Sequence, residues 1–169
     1  MEPGIRPATP EDVHAVGRNL RPADRDEIRA VTGAPPLLVL PECVAQSRAT
    51  WTMYGLSGEP VGLFGVQDVF DNPDVGWVWM VCTPTIERYP FHFLNKSREL
   101  LPVIHSFHPL VTNHVDERNT VHIRWLRWMG FTFLRRIERW GAESRPFIEF
   151  ARLQPQCASD QSEPSSERA

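Results

Sequence analysis

The residues of this chain with the clearest capacity for proton chemistry lie near the ends of predicted strands. His114 falls late in one such strand, where an imidazole could act as a general base near neutral pH. It could equally be a polar residue at a sheet edge. Asp68 and Glu117 are the other titratable candidates. Cys82 is a weaker candidate nucleophile, because no paired His is evident and a buried Cys is usually inert.

The three cysteines give no sign of a metal centre or a disulfide framework. Cys43, Cys82 and Cys157 are far apart and odd in number, and they form no CxxC pair. No cluster of His, Cys and Asp has the spacing of metal ligands. We therefore expect no metal and a reduced, intracellular protein.

Composition argues against several other classes of function. The formal net charge is −3, which gives no global signal for nucleic-acid or membrane binding. No apolar run approaches the roughly 20 residues needed to span a bilayer. Residues 1–4 contain no basic region followed by an apolar stretch, so we expect no secretion signal.

Length and composition predict one folded domain followed by a tail. The chain has 169 residues, of which 41% are hydrophobic, with six Trp and nine Phe to fill a core. From Gln154 onward the sequence is rich in Ser, Pro, Gln and charge and lacks apolar periodicity. Residues 1–153 are therefore predicted to fold, and residues 154–169 to remain disordered.

Apolar periodicity, caps and turns predict an α/β fold. The stretch 75–82 is apolar on both faces, which indicates a central strand covered on both sides. The predicted elements are, in chain order, a strand at 5–7, helices from 10, over 23–31 and from near Pro41, strands 50–56, 60–66 and 75–82, a helix 85–105, a strand 110–115, a helix 120–129, and strands 131–137 and 147–153. This order implies a mixed central β-sheet flanked by helices on both faces.

Two details of these elements can be stated more closely. Residues 57–59, Ser-Gly-Glu, have turn chemistry and predict a β-hairpin. In the long helix, Pro90 is expected near the true start, and Pro102 should kink or end it.

The last predicted helix carries a cap at each end and an apolar stripe. Asn119 is the expected N-cap, and Gly130 suits the position just past the C-terminus. The stripe at i, i+4, i+7 and i+8 consists of Val121, Trp125, Trp128 and Met129. We therefore expect both tryptophans to be core residues and not ligand contacts.

The order of elements and two local patterns resemble the GNAT acetyltransferase superfamily. The opening stretch, residues 5–12, looks like the usual GNAT opening. The second pattern is a strand ending in Val, an Asn four residues later, and a helix closed by Gly-Phe eleven residues after the Asn. Val115, Asn119, Gly130 and Phe131 have that spacing. The resemblance implies that strand 77–82 diverges from strand 110–115.

The resemblance also implies where acetyl-CoA would bind. Its pantetheine arm would pair with the exposed backbone of Met80, Val81 and Cys82. Asn119 would lie beside that arm, although a helix cap alone explains an Asn at this position. The alternative for the three strand residues is that they are simply part of the core.

Two departures from the GNAT pattern predict weak or absent binding of acetyl-CoA. Residues 83–94 contain no glycine, so the turn that normally holds the pyrophosphate is missing, and Arg88, His92 and Lys96 would have to supply charge. These cations could otherwise form a solvated helix face. Leu126 stands where the family often has a Tyr that protonates the departing thiolate.

A narrower resemblance joins the stretch from Trp77 to Leu134 to small internal virion proteins of short-tailed phages, which have a GNAT-like domain. It rests on residues 82–90 and 118–131. It implies an internal virion or assembly protein with degenerate acyltransferase features. Phage structural proteins or a host protein would be its partners. Such a protein would reside in the host cytoplasm during infection, or in the virion or procapsid.

An active enzyme is the alternative function. In that case the protein would be an acetyl-CoA-dependent N-acyltransferase that modifies a host or phage protein. The missing glycine-rich turn and the missing Tyr favour the assembly protein. The unit from Asn119 to Phe131 favours the enzyme, although a fold alone does not establish activity.

Overall fold

A computed structural model describes residues 4–88 and 90–155, with the main chain alone at residues 90–92. The strands of this part are β1 (Gly4–Pro7), β2 (Ala49–Tyr54), β3 (Pro60–Val69), β4 (Asn72–Cys82), β5 (Leu110–Asp116), β6 (Thr132–Trp140) and β7 (Arg145–Leu153). The helices are α1 (Pro10–Arg18), α2 (Pro22–Thr32), α3 (Pro36–Gln46), α4 (Pro90–His105) and α5 (Thr120–Trp128), with a short 3₁₀ helix at Pro84–Arg88.

The strands form one mixed sheet in the order β1-β2-β3-β4-β5-β7-β6. β4 and β5 are parallel, whereas all other neighbouring strands are antiparallel. A parallel pair needs a long crossover connection, and α4 supplies it. The predicted fold class and the predicted order of elements are therefore confirmed.

Helices cover both faces of this sheet, and two apolar clusters show it. Leu63 of β3 and Val81 of β4 pack in a cluster with the α1 residues Val13 and Val16. The next residue along each strand points to the opposite face. There Phe64 and Cys82 pack in a second cluster with residues of α4 and α5, namely Leu100, Leu101, Ile104, Leu126 and Met129.

The start of α1 is fixed both by its own cap and by the sheet. Thr9 and Asp12 form a reciprocal capping box. The Asp12 carboxylate also accepts hydrogen bonds from Thr52 Oγ1 at 3.0 Å and from Tyr54 Oη at 2.7 Å, both in β2. Burial acts to raise the pKa of Asp12, but the hydrogen bonds from Tyr54, Thr9 and Thr52 hold it below the ordinary value.

One predicted helix start differs from the structure, and another is confirmed. α3 begins at Pro36, where proline suits the first turn, so Pro41 lies inside the helix and not near its start. α4 begins at Pro90, as predicted, after a separate 3₁₀ helix. It continues to His105, the predicted end, so Pro102 lies inside the helix and does not end it.

The predicted apolar stripe of α5 is rotated from the face that the helix buries. His122, Leu126 and Met129 are buried, whereas Val121 is 44% exposed. Trp125 and Trp128 are only partly buried. The prediction placed Val121 in the stripe and left out His122, because a histidine does not count as apolar in such a pattern. The buried edge of α5 thus includes a titratable ring.

Among the described residues, no helix by itself has the length and apolar character to cross a bilayer. α2 and α3 pass such a test only as a pair, with a 75° bend between them. Most of the predicted tail, residues 156–169, lies outside the described residues, so its disorder stays a prediction.

Candidate functional site

The parallel strands β4 and β5 pair at one end only. Their register covers Val75 with Leu110, Gly76 with Val111 and Trp77 with Thr112. Beyond these pairs, the side chain of Asn113 reaches across the gap, and its Nδ2 donates to Val78 O at 2.8 Å. The strands therefore open into a cleft, as the resemblance predicts.

Alternate residues of β4 direct their main-chain polar groups toward this cleft. Val78 O accepts from β5, and Cys82 N–H donates to a side chain on the same side. Because strand residues alternate, the N–H and C=O of Met80 face the cleft too. Those of Val81 face β3, where it pairs with Leu63. Met80 thus offers the main-chain edge that was predicted for cofactor binding, and Val81 does not.

The end of this edge at Cys82 is already occupied. The main-chain N–H of Arg21 donates to Cys82 O at 2.8 Å, and Cys82 N–H donates to Asp24 Oδ2 at 2.8 Å. The thiol of Cys82 is buried, and burial together with the nearby Asp24 charge raises its pKa. It is therefore a thiol at neutral pH and a poor nucleophile.

Two cavities meet at Met80. The inner cavity, of about 200 Å³, lies in the cleft, and among its lining residues are Glu27, Val78, Met80, Asn113, Trp125 and Leu126. The outer cavity, of about 480 Å³, lies between the end of β4, α4 and α5, and among its lining residues are Arg21, Met80, Ile86, Phe93, Arg124 and Trp125. Met80, His122 and Trp125 line both cavities, so the two spaces adjoin. Trp125 thus has a position where it can contact a ligand, contrary to the expectation of a core role.

Glu27 of α2 is the carboxyl group with the largest perturbation in the inner cavity. Burial, followed by the negative charges of Asp24 and Asp116, raises its pKa to about 8, while a hydrogen bond from Asn119 opposes the shift. The Asn119 Nδ2 to Glu27 Oε2 distance is 2.8 Å. A carboxyl group of this kind can exchange a proton near neutral pH.

Asn119 is the N-cap of α5, as predicted, since its side chain accepts from His122 N–H. Its Nδ2 also donates to Asp24 Oδ1 at 3.2 Å and to Glu27 Oε2. The Asn119 side chain thus makes three hydrogen bonds within the protein. Its predicted contact with a cofactor arm would therefore require these bonds to be exchanged.

His114 lines the inner cavity, but its ring is held in a stack. Its centroid lies 3.9 Å from that of Trp140. Burial lowers the pKa of His114, and Glu149 acts in the opposite direction. The two alternatives are engaged elsewhere: Asp68 contacts His108 and Arg48, and Glu117 contacts Arg136.

His122 is the second titratable side chain that the sequence did not single out. Its ring is buried beside Trp125, with the centroids 5.3 Å apart. Burial lowers its pKa to about 4, so the imidazole is neutral at physiological pH. At the junction of the cavities it can donate or accept one hydrogen bond.

Two of the predicted phosphate-binding cations, Arg88 and Lys96, do not line the outer cavity. Arg88 is exposed on the 3₁₀ helix, and Lys96 pairs with Glu99 at 2.8 Å. The side chain of His92 lies outside the described residues. Instead the cavity is lined by Arg21, which is paired with Asp24, and by Arg124, which is exposed and makes no ion pair within the described part of the chain.

Solved acetyltransferases have the same fold. Ard1 from Thermoplasma volcanium matches with a TM-score of 0.70 at 13% identity, over 92% of this chain and all of that one. A spermidine N-acetyltransferase from Vibrio cholerae, solved with CoA and spermine, matches with a TM-score of 0.66 at 14% identity, over 90% of this chain and 96% of that one. A structure described as a phosphinothricin N-acetyltransferase matches with a TM-score of 0.67 at 12% identity.

The fold is that of the GNAT acetyltransferases. At such low identity the likeness concerns the fold alone. No family model and no curated protein matches the chain. The resemblance to phage internal virion proteins therefore gains no support from these comparisons.

The described residues fit the pantetheine arm of coenzyme A better than its phosphates. The open main chain of Met80 and the two adjoining cavities suit an extended amide-containing arm. Pro84 and Pro90, which begin the 3₁₀ helix and α4, have no N–H to donate. Among the described residues, Arg124 is the cation without an ion pair that lines the outer cavity, so it is the candidate to contact a phosphate. Within the part of the chain that the structure describes, no group of three or more acidic, His or Cys residues could hold a metal ion.

The unusual pKa of Glu27 predicts a specific dependence of stability on pH. Between about 4.5, the ordinary pKa, and about 8, the folded protein keeps a proton that the unfolded chain releases. The free energy of unfolding should therefore fall as pH rises through this window, by on the order of a few kcal/mol from this group. Glu27→Gln should remove that slope and be more stable than the wild type at pH 8.

Urea denaturation at half-unit pH steps measures this effect. The difference curve between Glu27→Gln and the wild type isolates Glu27 from the histidines, which titrate in the same window. Asp26→Asn, an exposed change on the same helix, should leave the wild-type slope intact. Parallel curves for Glu27→Gln and the wild type would contradict the assigned environment of Glu27.

Proposed function

We propose that the protein is an acyl-CoA-dependent N-acyltransferase. The observation that carries the proposal is the cleft where β4 and β5 diverge, with the main-chain edge of Met80 facing it. Cavities adjoin this edge on both sides, one toward the start of α4 and one toward Glu27. The solved acetyltransferases of the same fold support the choice of reaction class.

Bound acyl-CoA would supply the acyl group as a thioester. The N–H of Met80 can donate to the carbonyl oxygen as negative charge develops on it, because main-chain donors in a preformed edge need no reorganisation. Glu27, as a carboxylate, takes the proton of the acceptor amine. The amine nitrogen bonds to the acyl carbon as the carbon–sulfur bond breaks. The departing sulfur then regains one proton from Glu27 or from solvent.

Coenzyme A binding tests the proposal directly. Isothermal titration of the purified protein with CoA should show saturable binding, weakened by the lack of main-chain donors at Pro84 and Pro90. Arg124→Ala should weaken it by about tenfold, the value of one charge-assisted contact to phosphate. The same variant should bind pantetheine, which has no phosphate, as the wild type does.

Arg139→Ala is the matched control for this titration. Arg139 is exposed on β6 and lines neither cavity, so its removal changes the net charge equally without touching the site. Equal losses of CoA affinity in the Arg124 and Arg139 variants would show that the effect comes from net charge and not from a contact at the site. An absence of CoA binding at millimolar concentration would reject the proposed function.

Transfer activity tests the role of Glu27. The assay measures the release of free thiol from acyl-CoA in the presence of an amine acceptor. The kcat/KM of the protein should rise with pH and level off above about 8, because the carboxylate of Glu27 is the active form. Glu27→Gln should lose 10²–10⁴-fold in rate, a typical value for a general base, while its affinity for CoA is unchanged. A variant that keeps both the rate and the pH profile would exclude Glu27 as the base.

The second candidate function is that of an internal virion or assembly protein of a phage. The occupied edge at Cys82 and the engaged side chain of Asn119 favour it, because both reduce what a cofactor could bind. Its partners would be phage structural proteins, and it would reside in the infected host and in the particle.

Mass spectrometry of virions and procapsids from a phage that encodes this chain tests the second candidate. The protein should be found in at least one of the two particles, at a constant ratio to the capsid protein through purification. Its absence from both would leave the acyltransferase proposal alone.

A further inference from the structure

One side of the inner cavity is apolar and lies between α4, α5 and the sheet. We call it the acyl lobe, and its residues are Leu100, Leu101, Ile104, Leu126, Met129 and Phe131. Each of them is 9% exposed or less, so this side of the cavity is lined by buried apolar side chains. The lobe begins beside Met80, the residue whose main chain faces the cleft.

The polar groups around the acyl lobe are already satisfied. Trp125 Nε1 donates to Ser97 Oγ at 3.3 Å, and Ser97 Oγ donates to Phe93 O at 2.8 Å. Asn113 donates to Val78 O and accepts from the N–H of His114. Of the buried side-chain polar atoms that lack a partner in the described part, none belongs to a residue lining this cavity. The lobe itself consists of six apolar side chains and therefore suits an apolar group.

The opposite side of the inner cavity differs in both polarity and access. It is formed by α2 and α3, with the carboxyl group of Glu27 and with Val31, which is 38% exposed. The acceptor amine arrives from solvent and must reach a proton acceptor, so it belongs on this side. The acyl lobe is then left for the acyl chain, which is attached to the carbonyl carbon of the thioester.

We propose that the acyl donor is a CoA thioester of a straight apolar chain of about four to six carbons, which the acyl lobe holds. This inference rests on the proposed function and specifies its donor. A cavity of about 200 Å³ exceeds what an acetyl methyl group fills. For scale, an apolar protein cavity of about 150 Å³ holds benzene. The acceptor amine occupies part of the inner cavity. The acyl chain is therefore shorter than one that would fill the whole volume.

The affinity series over chain length is the decisive experiment. Isothermal titration should compare free CoA with its acetyl, butyryl, hexanoyl and decanoyl thioesters. Burial of each methylene strengthens binding by about fourfold until the lobe is full, so hexanoyl-CoA should bind at least tenfold more tightly than acetyl-CoA. The decanoyl thioester should bind no better than hexanoyl-CoA.

A blocking variant locates the effect. Leu126→Phe places extra volume in the lobe and should reduce the preference for hexanoyl-CoA over acetyl-CoA by at least fivefold. Because this preference is a ratio measured within one variant, any change in the affinity for CoA itself cancels. Leu134→Phe is the control, since Leu134 is 56% exposed on β6 and lines neither cavity. Thermal unfolding of each variant checks that it is folded before titration.

The outcomes separate this inference from the proposed function. Binding of free CoA with equal affinity for all thioesters would overturn the acyl-chain inference and leave the acyltransferase. A preference for hexanoyl-CoA that Leu126→Phe does not change would place the chain elsewhere and overturn the inference too. If no CoA species binds, the proposed function itself fails.

Discussion

One buried carboxylate connects the elements that surround the cleft. Asp24 is 3% exposed and accepts four hydrogen bonds, two from the Arg21 guanidinium, one from Cys82 N–H and one from Asn119 Nδ2. It thereby joins the start of α2, the end of β4 and the cap of α5. A buried ion pair does little for net stability, but removing one partner leaves an uncompensated charge that costs about 3–5 kcal/mol. Asp24 is thus better understood as fixing where these elements lie.

The hydrogen bonds of Asp24 also reduce the number of main-chain groups that a ligand could bind in the cleft. By binding Cys82 N–H, Asp24 removes the last main-chain donor of β4 from the cleft, and Met80 alone remains available. Its charge also contributes to the raised pKa of Glu27, after burial. A single side chain therefore limits the contacts that a pantetheine arm could make and helps to keep a proton-exchanging group beside those contacts. This balance explains why both an enzyme and a module that has lost activity are consistent with the sequence.

The fold could be predicted from the sequence, whereas the titratable groups of the site could not. Turn residues, caps and the two-sided apolarity of β4 act locally, so the order of elements follows from short-range patterns. The cleft between β4 and β5 was implied by the resemblance to the GNAT superfamily and not by any local pattern. Glu27 meets Asn119 across 92 residues of sequence, and in the sequence of α2 it is one of several charges on a helix. His122 was missed because the sequence does not show whether a polar ring or its apolar neighbour, here Val121, lies on the buried face of an amphipathic helix. In both cases tertiary packing decided the environment, and no local pattern carries that information.

The replacement of a phenol by Leu126 and the unusual carboxyl of Glu27 belong to one chemical argument. With Leu126 in the cavity wall, no Tyr among the residues that the structure describes lines the cleft to protonate a leaving thiolate. An ordinary glutamic acid could not do so either, because near pH 7 it is ionised. Burial, together with the negative charges of Asp24 and Asp116, raises the pKa of Glu27 to about 8, close to about 8.5, the ordinary value of a thiol. A group with this pKa can take the proton of an amine and return it to sulfur at little cost in either direction, which is the condition for efficient general acid–base catalysis.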